Sequence, residues 1–251
     1  MIVNIKIATL ICVFTPLIGC LISGFLRNVI GKKGAHTVTI LGLAISFICA
    51  ISVAFQFSKT DLSPVTFTLY SFINGGVWFP YQFHIGFMVD QLTILMMLVV
   101  TFVSFLVHIY SIGYMEGDDG YQRFFSYISL FTFMMLMLVT GDNFLQLFFG
   151  WEGVGLVSYL LIGFWYNRES AIEGSLKAFL VNRVGDFGFI LGIALIMVNI
   201  GSLDYSALFK SNFALANQTV SLGFANVSLV TLICITLFIG AMGKSAQVPL
   251  H

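Results

Sequence analysis

Seven times in 251 residues the sequence runs for about twenty positions with almost no charge, the length an α-helix needs to cross the hydrocarbon core of a bilayer. The runs lie at 7–26, 37–57, 87–111, 124–140, 143–165, 174–200 and 226–248. Only 9% of the residues are charged against 59% hydrophobic, too few charges to cover the surface of a water-soluble domain of this size. In lipid each backbone polar group must be satisfied inside its own segment, so runs of this kind fold as helices. The pattern predicts an all-α polytopic membrane protein with about seven transmembrane helices. The first run is preceded by a single lysine, lacks a small-residue cleavage pattern and is too long for a signal peptide, so it reads as a retained span.

The connections carry further information. Residues 64–85 alternate as VTFTLY, reach Asn74-Gly75-Gly76 and continue as VWFPYQFHI, which predicts a small β-hairpin in the loop 60–86 between the second and third spans. Between the sixth and seventh runs, LDYSALFK predicts a short interfacial helix capped by Ser202 or Asp204. The loops after the first, third and fifth spans hold Arg27, Lys32, Lys33, Arg123, Arg168 and Lys177, whereas the other side holds Lys6, Lys59 and Lys210. That asymmetry places the first set in the cytoplasm and the N-terminus outside. Net charge is zero and no basic run appears, which argues against a nucleic-acid partner. Cys12, Cys20, Cys49 and Cys234 all sit inside apolar runs without C-x-x-C spacing and read as packing residues, not as a metal site.

Ionisable residues inside the spans are the functional candidates, because a charge in the bilayer is costly and is kept when it faces other helices or water. Glu152 is the one carboxylate in NFLQLFFGWEGVGLVSYLLIGFW (143–165), near the middle of its run. Arg183 and Asp186 are three residues apart in VNRVGDFGFILG, so they share a helix face and can pair. Gly185, Gly188 and Gly192 on the same helix, and Gly150, Gly153, Gly155 and Ser158 on the fifth, offer small-residue surfaces for close helix approach. Lys244 lies between Gly243 and Ser245, five residues before Pro249, which must break or kink the helix. A lysine beside such a break is placed to give up and regain a proton, since low-dielectric surroundings disfavour its charged form. Asp90 reads as a helix-opening acid, and His108 reads as a packing residue near the end of the third span. The chain shows no phosphate loop, paired haem histidines or cysteine cluster, so it predicts no cofactor and no metal of its own.

Five segments, VHIYSIGYM (107–115), RFFSYISLF (123–131), FFGWEGVGLVSYLLIGFWY (148–166), KAFLVNRVGDFGF (177–189) and GKSAQVPLH (243–251), resemble the large antiporter-like membrane subunit of proton-pumping NADH:quinone oxidoreductase, respiratory complex I. The resemblance implies that Glu152 and Lys244 form a central proton-transfer pair, tuned by Arg183 and Asp186. It implies partners, namely other membrane subunits of the complex, the lipid bilayer and protons. NADH, FMN, iron–sulfur clusters and a quinone would be used on other subunits, in a bacterial or mitochondrial inner membrane. It also implies a fold of inverted five-helix repeats, with residues 1–121 forming the first three spans and 122–251 an incomplete first repeat. The family's chains run far beyond K-S-A-Q-x-P-L-H, so this sequence is expected to be a piece of a longer protein or a truncated product.

Two other classes share the bare features. The related sodium/proton antiporter subunits share S-Y-L-L-I-G-F and K-S-A-Q, although W-E-G followed by N-R-V-G-D is similar to the complex I form. A seven-helix photoreceptor also carries a lysine in its last helix, but there the lysine sits mid-helix, whereas Lys244 precedes a proline.

Overall fold

The computed structural model describes residues 2–59, 63–73, 75, 81–210, 218–221 and 226–251. Among them the helices are α1 (Ile2–Phe25), α2 (Arg27–Phe57), α3 (Gln91–Tyr114), α4 (Tyr121–Thr140), α5 (Phe144–Ile162), α6 (Glu169–Ile200), α7 (Tyr205–Lys210) and α8 (Leu229–Lys244). The strands are β1 (Val65–Ile73), β2 (Phe83–Val89), β3 (Thr219–Ser221) and β4 (Asn226–Ser228). β1 pairs with β2, as the alternation predicts, and the Asn74-Gly75-Gly76 turn lies largely outside the described residues. β3 pairs antiparallel with β4, a second small hairpin the sequence reading did not foresee. The chain is an integral, multi-pass membrane protein: α1 to α6 are each long and apolar enough to cross a bilayer.

Three boundaries stand out as different from the sequence reading, each for a local reason. Residues 27–36, read as a loop, are helical, and the break falls instead at Gly31, whose φ of 63° only glycine adopts readily. The third span starts at Gln91 rather than 87 because β2 continues to Val89 and Asp90 then caps the helix, its Oδ1 accepting from the Thr93 amide at 2.7 Å. α7 forms where expected, with Ser202 Oγ accepting from the Asp204 amide just ahead of it. The seventh span is the largest correction. α8 has 16 residues and ends at Lys244, about 24 Å of helix, so it falls short of a full crossing where 226–248 had been read as one.

The chain divides into two compact units. Unit 1 holds residues 1–67, 87–141 and 147–165. Its packing starts from Pro16 inside α1, which lacks the amide that would bond the carbonyl of Cys12. Ser46 of α2 donates to that carbonyl at 2.6 Å, so the break in α1 is satisfied by its neighbour. Ser129 and Ser126 of α4 donate to the carbonyls of Pro16 and Cys20 at 2.7 and 3.0 Å. Hydroxyls thus tie α1 to both α2 and α4, the kind of interhelical bond that replaces the missing hydrophobic drive in lipid. At one end Ile5, Val53, Phe57, Val89 and Ile94 form a buried cluster, and Met115, Tyr121, Phe125 and Phe164 form another.

Unit 2 holds residues 68–86, 142–146 and 166–251. Its centre is the crossing of α6 and α8. A Cβ at Gly185 would lie 3.1 Å from the Cα of Gly243, and one at Gly188 would strike Ile239. The Gly185/Gly188/Gly192 surface therefore does pack at close range, as its spacing predicts. Ile196, Leu203, Leu229 and Ile233 close the unit's apolar core.

Candidate functional site

Glu152 is the ninth of the 19 residues of α5 and is half-buried in unit 1. The helix approaches α4 through glycines: a Cβ at Gly150 would meet the backbone of Leu138, and one at Gly153 the side chain of Met134. Glu152 shares its helix face with Phe149 and Leu156, three residues before and four after, and both are exposed. The carboxylate is thus carried on a side of α5 that differs from the glycine contact.

In unit 2, Asp186 is 2% exposed, one residue from the Gly185–Gly243 contact. Arg183 Nη1 stands 4.0 Å from its Oδ2, so the structure does bring the pair together. Arg183 itself is half-exposed, with its guanidinium 5.1 Å from the centre of the Phe179 ring. Lys244 closes α8 and is half-buried, one residue from the same glycine contact. Beyond it the backbone turns at Ala246, whose φ of 48° is uncommon for a residue with a Cβ. Arg183, Asp186 and Lys244 therefore share one unit, while Glu152 belongs to the other. Among the described residues no group of three or more His, Cys, Asp and Glu side chains is arranged to hold a metal ion.

Two polar clusters at helix ends escaped the sequence reading. Ahead of α4, Asp118 accepts from Trp165 Nε1 at 2.8 Å and from the Gly120 amide at 2.6 Å, and Lys32 Nζ donates to its carbonyl at 3.0 Å. The indole N–H bond, followed by the Gly120 amide and the Arg123 and Lys32 charges, holds the Asp118 carboxyl below its ordinary range despite a smaller opposing effect of burial. After α4, His84 Nε2 stands 3.3 Å from Asp142 Oδ2 and 3.9 Å from Asp204 Oδ1. Asn143 Nδ2 donates to Asp142 Oδ1 at 2.8 Å and to the His84 carbonyl at 3.2 Å, and Gln146 Oε1 accepts from the Gly86 amide at 2.9 Å. Burial, and secondarily the Asp142 charge, raises the Tyr205 hydroxyl above its ordinary range. The only local signal for this second cluster was a run of polar residues between apolar segments, which is what any solvated turn shows. His108, read as a packing residue, is fully buried, its Nδ1 2.8 Å from the Ser104 carbonyl.

Comparison with known proteins gives these positions a context. The family model described as NADH-ubiquinone oxidoreductase (complex I), chain 5 N-terminus matches residues 78–125. The one described as NADH:quinone oxidoreductase/Mrp antiporter, TM matches 141–251. NADH-quinone oxidoreductase subunit L of Neisseria meningitidis serogroup A is 54% identical over 247 residues, covering 96% of this chain and 36% of its own length. NADH-ubiquinone oxidoreductase chain 5 of Chondrus crispus is 48% identical over 243 residues, with the same two coverages. The chain thus spans about a third of the length of the curated relatives it matches. Among solved structures, a chain of the membrane-bound sulfane sulfur reductase, an archaeal respiratory membrane complex, is similar in fold: TM-score 0.69 at 17% identity, over 93% of this chain and 33% of that one.

Proposed function

Because the chain belongs to the family of NADH:quinone oxidoreductase subunit L and chain 5 proteins, we propose that it carries part of a proton path through the membrane arm of such a complex. Electrons would pass from NADH to a quinone on other subunits, with FMN and iron–sulfur clusters held there, while this chain's share is proton movement. The observation that carries the reading is the 54% identity to a subunit L across 96% of the chain, together with the family-model match over 141–251, the stretch that holds Glu152, Arg183, Asp186 and Lys244.

The chemistry of the four residues supports it. A carboxylate in the middle of an apolar helix and a lysine at the end of another hold charges that a bilayer disfavours, so each is retained most readily when the two protonation states alternate. In the mechanism we favour, ionised Glu152 favours a proton on Lys244, and neutralising the acid loosens that proton and sends it onward. Arg183 and buried Asp186, one residue from the glycine contact beside Lys244, bias which state the lysine prefers. The basic loops face the cytoplasm and the N-terminus lies outside, in a bacterial or mitochondrial inner membrane among other membrane subunits of the complex. Residues 122–251 form part of a first inverted repeat.

Glu152→Gln in the complete complex tests the reading. Glutamine keeps shape and hydrogen bonding but cannot ionise. The complex is expected to assemble and oxidise NADH while losing most proton pumping. A normal ratio of protons to electrons in that variant would sink the role given to Glu152.

A further inference from the structure

The cluster after α4 has a feature that a simple structural tie does not need. One imidazole nitrogen, His84 Nε2, faces two carboxylates that differ in their access to water. Asp142, 3.3 Å away, is 12% exposed in its side chain, whereas Asp204, 3.9 Å away, is 41% exposed, with His84 itself at 16%. The three come from three elements, β2, the α4–α5 turn and the link into α7, all within unit 2. Asp142 is held in register by Asn143, and its carboxylate lies so close over the Gly86 backbone that a Cβ there would collide with it. On the covered side, the Gln146 amide nitrogen is buried without a protein partner among the described residues, so it offers donors to a small acceptor such as water.

We propose that His84 is a proton hand-off residue between covered Asp142 and solvent-open Asp204, forming the exchange site with bulk water at that face of the membrane. The proposal rests on the proton-path reading above. In the step, protonated His84 gives the Nε2 proton to the Asp204 carboxylate, which passes it to water; Nε2 then accepts the proton held by neutral Asp142, leaving that group a carboxylate. One proton has moved from Asp142 to water, no other bond has changed, and the reverse order takes a proton in. An imidazole suits the task because its two protonation states lie close in free energy near neutral pH. The ionisable groups around it are Asp142 from the α4–α5 turn, Asp204 from the link ahead of α7, and Tyr205 of α7 beside Asp142; β2 adds no other charge. Burial keeps the Tyr205 hydroxyl protonated, so it takes no part in the exchange.

The test uses the whole complex in sealed vesicles, with His84→Asn and His84→Gln, which keep a donor toward Asp142 but cannot exchange a proton near neutral pH. With assembly verified, NADH-driven pumping is expected to slow about tenfold and to recover on adding imidazole to the medium on the side of this cluster. A residue that only ties the elements together would give no recovery with imidazole. Full-rate pumping in either assembled variant, or slowing that imidazole leaves unchanged, overturns the proposal. Acylating His84 in the assembled wild-type complex, followed by peptide mass spectrometry, gives the same readout without a folding step. Glu152→Gln in the same vesicles separates the two ideas: loss of pumping there with normal His84 variants removes only this site, whereas normal pumping in Glu152→Gln removes the proton-path reading itself.

Discussion

Two carboxylates flank α4 in sequence, Asp118 ahead of it and Asp142 after it, and each is held by a ring nitrogen from a distant segment. Asp118 takes its bond from Trp165 Nε1 in unit 1, Asp142 from His84 Nε2 in unit 2. An indole N–H donates and does nothing else, whereas an imidazole gains and loses a proton near neutral pH. The first arrangement is a fixed tie supported by Lys32 and the Gly120 amide. The second has the parts of a proton site. The same device, an aromatic N–H on a carboxylate at a helix end, is thus structural or exchangeable according to one ring.

Three changes sharpen or break that contrast. Asp142→Ala is expected to have the largest effect, about 2 kcal/mol, because it removes the nearer carboxylate of His84 and one of the two acceptors of Asn143 together. Thermal inactivation of the purified complex measures it, and a loss no larger than that of Asp118→Ala would put the two ties on an equal footing. Gly86→Ala comes next, at about 1–2 kcal/mol, since the added Cβ drives the Asp142 carboxylate off the strand while leaving each titratable group present. The same inactivation assay reads it, and wild-type behaviour would mean that Asp142 has room to move.

Trp165→Phe should have the smallest effect, about 0.5 kcal/mol after screening, because Asp118 is only half-buried and reached by solvent. Its signature is pH dependence. The folded state holds Asp118 below its ordinary range, so the tie's contribution is complete above the ordinary carboxylate pKa of about 3.9 and is lost as pH falls through the lowered value. Proteolysis of the 115–120 loop should therefore differ between wild type and Trp165→Phe at pH 7, and the difference should shrink as pH falls through the lowered value. A difference that stays unchanged through the whole acid range would show that Trp165 acts through packing, not through Asp118.

The sequence alone determined the parts of this protein that depend on neighbours along the chain. Apolar length placed six crossing helices, alternation placed the β1–β2 hairpin, Asp90 announced the start of α3, and glycine spacing foretold the close crossing of α6. The pairing of Arg183 with Asp186 followed from three-residue spacing on one helix. Each is a short-range property, set by helix period, pleat or cap, and survives whatever the rest of the chain does. Only the tertiary structure decided that 226–248 yields a 16-residue helix ending at Lys244 between β4 and the turn at Ala246. It alone gathered His84, Asp142 and Asp204, which lie 58 and 62 residues apart in sequence and read individually as solvated turn residues. Burial and partnership are what turn such groups into a site, and both belong to the packed chain: a carboxylate in water is already satisfied, and it acquires a function when folding limits it to a few chosen donors.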